Sequence, residues 1–405
     1  MTSGRRARLR GKNLLRTLAA TGFIVLIVGA AVLIVGVGSS HPSLIVEGQI
    51  NEEGLPVPPA KTAPANPAGR GTAICPPLSI AVAGAFTGRD AEVGINSKQG
   101  VRLAITRHNA ANAGCQVQIK EFDTGGDPQR VNDFAPQIVA DAYTVGLIGP
   151  SFSGVAQTTG AFFEANGLPT ATASASRSSL SQQGWKTFFR AVASDEAQGR
   201  AVANYVRNVL RSRKVCVISD NSPYGDALAS AAGETLAGLA PADCRFSRTL
   251  DDKHFGEVID RMRAAPPDAV LRTGSYAGTA EFLRRLRDAG VRSTFISAQG
   301  MANPQFATQA GHSGADVLLS CPCGPDPEWF TKEYRDEFGR DPGAYSAEGY
   351  DLATIMLNAI DVGMLVRPQM LDWMRHYSGQ GVARRYQWTR TGELTDPTVW
   401  IYRVE

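Results

Sequence analysis

Ser151 and Ser153 lie in residues 149–157 (GPSFSGVAQ), directly after the apolar run at 145–148 and at the start of a helical pattern. The first N–H groups of a helix have no intrahelical partner, and the helix dipole makes that end weakly positive. With hydroxyls beside them, such a place suits a carboxylate, a phosphate or a carbonyl oxygen. No Lys closes the loop as in a P-loop, which excludes a nucleotide triphosphate. The first strand ends in residues 84–88 (GAFTG) and not in Gly-x-Gly-x-x-Gly, which excludes a dinucleotide. The plainer reading of Ser153 is that it caps its own helix, and its surroundings must decide.

The remaining reactive residues form no catalytic pattern. A nucleophilic triad needs a nucleophile, a base and an orienting acid in contact, and no Gly-x-Ser-x-Gly elbow follows a strand. His41, His108, His254, His312 and His376 are scattered along the chain. The cysteines lack the His or second Cys-x-x-Cys spacing of a zinc site. No enzymatic activity, cofactor or metal is expected.

The serines are positioned by an alternation of strands and helices. β-rich runs at 78–86, 116–123, 145–149, 168–173 and 188–192 alternate with helical stretches near 99–112, 128–142 and 154–166. A second series has strands at 214–220, 244–250, 269–273, 294–298 and 317–320, with helices near 196–211, 225–239, 254–264 and 277–289. Such alternation predicts parallel sheets with helices on both faces, and two series predict two α/β lobes. Residues 346–360 carry Leu352, Ile355, Met356, Ala359 and Ile360 on one helical face that must pack on one lobe, leaving strand 399–404 for the other. The chain therefore crosses between lobes more than once. Ligands of open α/β sheets bind beyond the carboxyl ends of the strands. Those ends carry Arg89, Ser153, Ser174 and Ser176 on the first lobe, and Tyr224, Tyr276 and Gln299 on the second.

Six cysteines fit an oxidising compartment. Cys75 and Cys115 precede strands that would be parallel neighbours, and Cys216 and Cys244 repeat that layout. Disulfides Cys75–Cys115 and Cys216–Cys244 are expected, and the close pair left over, Cys321 and Cys323, is expected to form a third.

Taken in order, residues 84–88, 123–127 (DTGGD), 149–157, 174–180 (SASRSSL), 195–199 (DEAQG), 220–225, 274–276 and 345–352 (YSAEGYDL) resemble the periplasmic leucine/isoleucine/valine-binding protein family. These are the extracytoplasmic receptors of branched-chain amino acid ABC transporters. The resemblance implies a two-lobe periplasmic-binding-protein type I fold (a Venus flytrap) that closes on a small solute. It implies that Ser153 and nearby N–H groups take a ligand carboxylate and that Ser174 and Ser176 help to hold it. Tyr224 and Tyr276 match second-lobe aromatics that close over the ligand. Where this sequence has Gln299, the family places an acid that pairs with an α-ammonium. A buried ammonium needs a carboxylate partner. Either Asp220, Glu92 or Glu348 serves instead, or the ligand is an amide or small carboxylate without an ammonium.

The N-terminal residues have a different character. Six of the 41 Lys and Arg residues lie in the first 16 positions, leaving 35 basic against 38 acidic residues beyond. That balance excludes nucleic acid as a partner by charge. Residues 18–37 form an uncharged apolar run, which as a helix spans roughly 30 Å, the thickness of a bilayer core. The arginines before it predict a cytoplasmic N-terminus. The expected organisation is a basic cytoplasmic tail (1–17), a transmembrane anchor (18–37), a Pro-rich linker (38–77), lobe 1 (78–193 with 322–388) and lobe 2 (194–321 with 389–405). The expected function is solute capture for an ABC permease at the cell membrane. The alternative is a sensor or accessory ectodomain. Cleavage of the N-terminal segment would make the protein periplasmic or secreted.

Overall fold

The alternation of β-branched runs and helices builds two separate sheets. The computed structural model describes residues 44–247, 252–274, 278–298 and 304–405. The expected tail and membrane anchor at 1–37, together with Tyr276 and Gln299, lie outside the described residues. Among the described residues no helix is long and apolar enough to cross a membrane.

Two strands come first, β1 (Leu44–Ile50) and β2 (Pro56–Val57). The first α/β series is β3 (Leu78–Gly84), α1 (Ala91–Ala111), β4 (Val117–Asp123), α2 (Val131–Ala140), β5 (Thr144–Ile148), α3 (Ser153–Ala165), β6 (Thr170–Thr172) and β7 (Phe188–Arg190). Its five strands form an all-parallel sheet in the order β4-β3-β5-β6-β7. The second series is α4 (Asp195–Asn208), β8 (Val215–Ser219), α5 (Pro223–Thr235), β9 (Arg245–Ser247), α6 (Asp252–Ala264), β10 (Ala269–Thr273), α7 (Thr279–Asp288), β11 (Thr294–Ala298), α8 (Pro304–Ala310) and β12 (Leu318–Cys321). The chain then returns to the first lobe with α9 (Glu328–Phe338), α10 (Ser346–Asp361), α11 (Arg367–His376) and the hairpin β13 (Ser378–Gln380)–β14 (Arg385–Gln387). Helix α10 packs on α1 and β5. Strand β15 (Val399–Val404) ends in the second lobe, whose eight-stranded sheet runs β2-β1-β15-β12-β11-β10-β8-β9.

Alternate residues of each strand fill opposite faces. In the first sheet Ile80 and Val82 join α1 and α10, while Ala81, Ala83 and Leu147 meet Phe134, Ile138 and Phe163 of α2 and α3. In the second, Val215, Val217, Ala269 and Leu271 face α4 and α5, while Ile218, Val270 and Phe295 pack against Phe282 and Leu286 of α7. Each large apolar side chain so buried contributes about 1.5–3 kcal/mol. Disulfides join Cys75 to Cys115, Cys216 to Cys244 and Cys321 to Cys323, as the layout predicts. The first two tie neighbouring parallel strands.

Two expectations need correction. The linker at 38–77 is not a free spacer: β1 lies antiparallel to β15, with Leu44 opposite Val404 and Ile50 opposite Val399, and Ile50 is buried. Farther on, Ala65 N–H donates to the Gln380 carbonyl (2.7 Å) and Ala73 N–H to Asn112 Oδ1 (2.9 Å). The second sheet is consequently mixed, because β15, β1 and β2 run antiparallel to their neighbours. The physical reason is that β1 is stabilised by the opposite end of the chain, so no local pattern announces it.

Candidate functional site

Strand β5 leads into Gly149 and Pro150, joined by a cis peptide bond. Gly149 has φ +121°, and a Cβ there would strike the Ala83 carbonyl of the adjacent strand; only glycine fits so close an approach. The turn carries Ser151 and Ser153 past the carboxyl end of the sheet. Ser174 Oγ donates to the Ser151 carbonyl (2.7 Å), and Thr172 Oγ1 donates to the Pro150 carbonyl (2.9 Å) while accepting from Ala175 N–H (2.9 Å). Ser153 Oγ accepts from Arg177 N–H (3.2 Å). That hydroxyl ties the second serine loop to α3 and does not cap its own helix. Ser153, Ser174 and Ser176 thus stand on one hydrogen-bonded edge, Ser153 half-buried and the other two buried. Arg89 is exposed.

On the second lobe Tyr224 is the second residue of α5, whose N-cap Ser222 accepts from Gly225 N–H (3.0 Å). The Tyr224 hydroxyl donates to Oε1 of the buried Gln198 (3.0 Å). Burial, then the charge of Asp195, holds the Tyr224 phenol well above its usual range. Asp220 accepts from Ser222 N–H (3.0 Å) and lies against Gly274, where a Cβ would strike its carboxylate. Tyr276 and Gln299 follow β10 and β11 in the chain and lie outside the described residues.

The crossing between lobes at residues 191–194 leads to a group to which sequence reasoning assigns no role. Asp195 opens α4, and its N–H donates to the Ser176 carbonyl (2.8 Å). Asp195 is only 3% exposed, and burial raises its pKa to about 6, against the opposing pull of Ser176, Arg190 and Arg177. Arg190, wholly buried, pairs with Glu393 (2.9 Å) and donates to the Arg177 carbonyl (3.0 Å). Tyr345, also buried and with a left-handed backbone (φ 73°), feels the charges of Glu348 and Asp195. In the sequence Asp195 opens the 195–199 motif that carries part of the family resemblance, but no role in the site is read from it there.

The acids proposed to replace the one missing at position 299 are differently engaged. Glu348 is buried and paired with Arg384 (2.8 Å). Glu92 has a side chain 70% exposed and pairs with Arg340 (3.0 Å). Asp220 is occupied in shaping the turn before α5. A groove of about 440 Å³ separates the 177–182 loop from α4 and α5, lined by Arg177, Ser179, Glu196, Pro223 and Ala227. Among the described residues no cluster of His, Cys, Asp and Glu could hold a metal ion.

Residues 77–405 match the family model described as periplasmic binding protein. An amino acid binding protein of Pseudomonas aeruginosa is 24% identical over 337 residues, covering 80% of this chain and 89% of the relative. The Leu/Ile/Val-binding protein of Escherichia coli K12 is 26% identical over 253 residues, 62% of this chain and 69% of the relative. Among solved structures, the branched-chain amino acid transporter substrate binding protein of Streptococcus pneumoniae, in complex with isoleucine, superimposes with a TM-score of 0.68 at 20% identity, over 80% of this chain and 95% of that one. Two lobes, serine loops at the carboxyl ends of one parallel sheet and a family match across both lobes lead to one conclusion: the chain belongs to the periplasmic binding protein family.

Proposed function

We propose that this protein is an extracytoplasmic solute receptor, held at the membrane by residues 18–37, that captures an amino-acid-like ligand between its lobes and passes it to an ABC permease. The observation that carries this reading is the joined pair of serine loops, 149–153 and 172–177, at the carboxyl ends of β5 and β6. Hydroxyls beside the start of α3 suit a carboxylate. Ser153, Ser174 and Ser176 are the first-lobe contacts in this reading, and Tyr224, Tyr276 and Gln299 those of the second lobe. Closure follows if the ligand gains contacts with the second lobe, because a ligand shifts an equilibrium only by binding one state better. The relatives support an amino acid as the class of ligand, and three disulfides fit an oxidising compartment. Calorimetric titration of the full-length chain in detergent, stripped of carried-over ligand, against amino acids, their amides and small carboxylates tests the proposal. Saturable binding of at least one member is expected, and silence across the panel would overturn it.

A further inference from the structure

We propose that Arg272, near the carboxyl end of β10 in the second lobe, takes a second carboxylate of the solute, so that the ligand of this receptor is a dicarboxylate held by one acidic end on each lobe. This inference rests on the receptor reading above and adds the charge of the ligand and the second-lobe residue that selects it.

Among the described residues three arginines are buried: Arg190, Arg272 and Arg384, at 0%, 0% and 4% exposure. Arg190 is paired with Glu393, and Arg384 with Glu348. Arg272 has no such partner among the described residues. Its Nη1 donates to the Thr273 carbonyl, while Nε and Nη2 have no hydrogen-bond partner. The acid whose charge reaches it is Asp220. That carboxylate lies beyond ion-pair distance of the guanidinium, and its Oδ1 accepts from Ser222 N–H (3.0 Å). Burial, against the opposing charge of Asp220, lowers the Arg272 pKa to about 10, which leaves it charged at neutral pH. A buried charge without a partner is strongly destabilising, so a sheet that keeps one does so for a reason outside the fold.

The two unpartnered nitrogens also specify the shape of what they take. Nε–H and one Nη2–H point the same way from one edge of the planar guanidinium, and a carboxylate meets such a fork with its two oxygens. A carbonyl oxygen or a hydroxyl brings no counter-charge; a carboxylate satisfies both donors and the charge together.

The position is that of a ligand contact. Arg272 stands level with Ile218 of β8 and Ser297 of β11, one residue from the end of β10. Ligands of open α/β sheets bind beyond such carboxyl ends. On the first lobe Ser153 keeps a proton for a carboxylate, because its hydroxyl accepts from Arg177 N–H. A solute with a carboxylate at each end bridges the two lobes. It therefore binds the closed form better than the open one, which is what closure requires.

The test compares two-carboxylate solutes with monoamides of nearly equal size: L-glutamate with L-glutamine, L-aspartate with L-asparagine, glutarate with glutaramate, and succinate with succinamate. The last two pairs lack an ammonium and so separate dicarboxylic acids from acidic amino acids. Calorimetry on the full-length protein in detergent, stripped of carried-over ligand, runs them beside the amino acids and small carboxylates. At least one dicarboxylate should bind roughly tenfold or more tighter than its monoamide and than any monocarboxylate. Arg272→Met should lose that preference while melting no lower than the wild type, because an uncompensated buried charge is gone. An arginine that served the fold alone would show the reverse, a lower melting temperature and an unchanged preference. Should Arg272→Met fail to fold, Arg272→Lys keeps the charge and loses the fork, and should bind the dicarboxylate about threefold or more weakly than the wild type. Equal wild-type affinity for every acid and its monoamide, tightest binding of a monocarboxylate, a preference that survives in Arg272→Met, or an Arg272→Lys protein that binds as the wild type does would each overturn the assignment and leave the receptor reading standing. A wild-type protein silent to every compound would overturn the receptor reading, and this assignment with it.

Discussion

The three serines of the first lobe offer different things to a ligand. Ser174 Oγ donates its only proton to the Ser151 carbonyl at 2.7 Å, so toward a carboxylate it presents lone pairs that repel. The Ser176 carbonyl accepts from Asp195 N–H at 2.8 Å. Ser153 Oγ accepts from Arg177 N–H and so retains a proton to donate. Ser153→Ala should therefore weaken binding by roughly 1–2 kcal/mol, the scale of a hydrogen bond to a charged group, with a small change in stability. Ser174→Ala should act the other way round, lowering stability by about 1 kcal/mol because the buried Ser151 carbonyl loses its donor, with affinity less affected. Calorimetry and denaturant unfolding on both variants separate the two roles. If the two affinities fall equally, the division of labour is wrong.

Strand β1 shows how much a single element can escape a sequence reading. Removing residues 44–57 would uncover the edge of β15, where Val399 and Ile401 are buried, and would delete the buried Ile50. Burying one such side chain is worth about 1.5–3 kcal/mol, and an uncovered edge strand is a template for pairing with other chains. The deletion should lower the melting temperature and produce concentration-dependent association in light scattering; an unchanged, monodisperse protein would mean that β1 is dispensable. The strands of both series were legible because β-branched runs alternate with helical periodicity within short windows. The disulfides were legible because Cys75, Cys115, Cys216 and Cys244 each mark the start or course of a strand whose neighbour follows in the chain. β1 was not, since Gly48, Gln49 and the Asn-Glu-Glu-Gly turn after it carry no amphipathic period, and its partner is the last strand of the chain. Asp195 was legible as the first residue of the 195–199 motif but not as part of the site, for a related reason. Its burial, and its nearness to Tyr224 and Tyr345, depend on α4, α5 and α10 meeting at the crossing, which no local spacing encodes.

At the scale of the whole molecule, β1 and β2 alter how the lobes are joined. Residues 191–194, 322–327 and 388–398 cross between the first-lobe elements and the second sheet, and residues 58–64 make a fourth crossing. On one side of it β2 is fixed to the second sheet. On the other, Ala65 is bonded to Gln380 in the β13–β14 hairpin, and that hairpin is tied to α10 by Asp351, which accepts from Val382 N–H (2.7 Å), Ala383 N–H (2.8 Å) and the Tyr386 hydroxyl (3.0 Å). Any opening of the lobes must change the distance from Val57 to Ala65. The connecting residues are Pro58, Pro59, Ala60, Lys61, Thr62, Ala63 and Pro64, a proline-rich composition that favours a stiff, extended conformation with a rise of about 3.1 Å per residue. A strap of this stiffness is expected to limit how far the ligand-free lobes separate and so to favour the closed form. Replacing Pro58, Pro59 and Pro64 together with glycine should enlarge the ligand-free radius of gyration in small-angle scattering while leaving the ligand-bound radius unchanged. Apparent affinity should fall roughly threefold, because it scales with the fraction of molecules in the binding-competent form. Identical scattering profiles and affinities for the two proteins would show that the strap follows the lobes without restraining them.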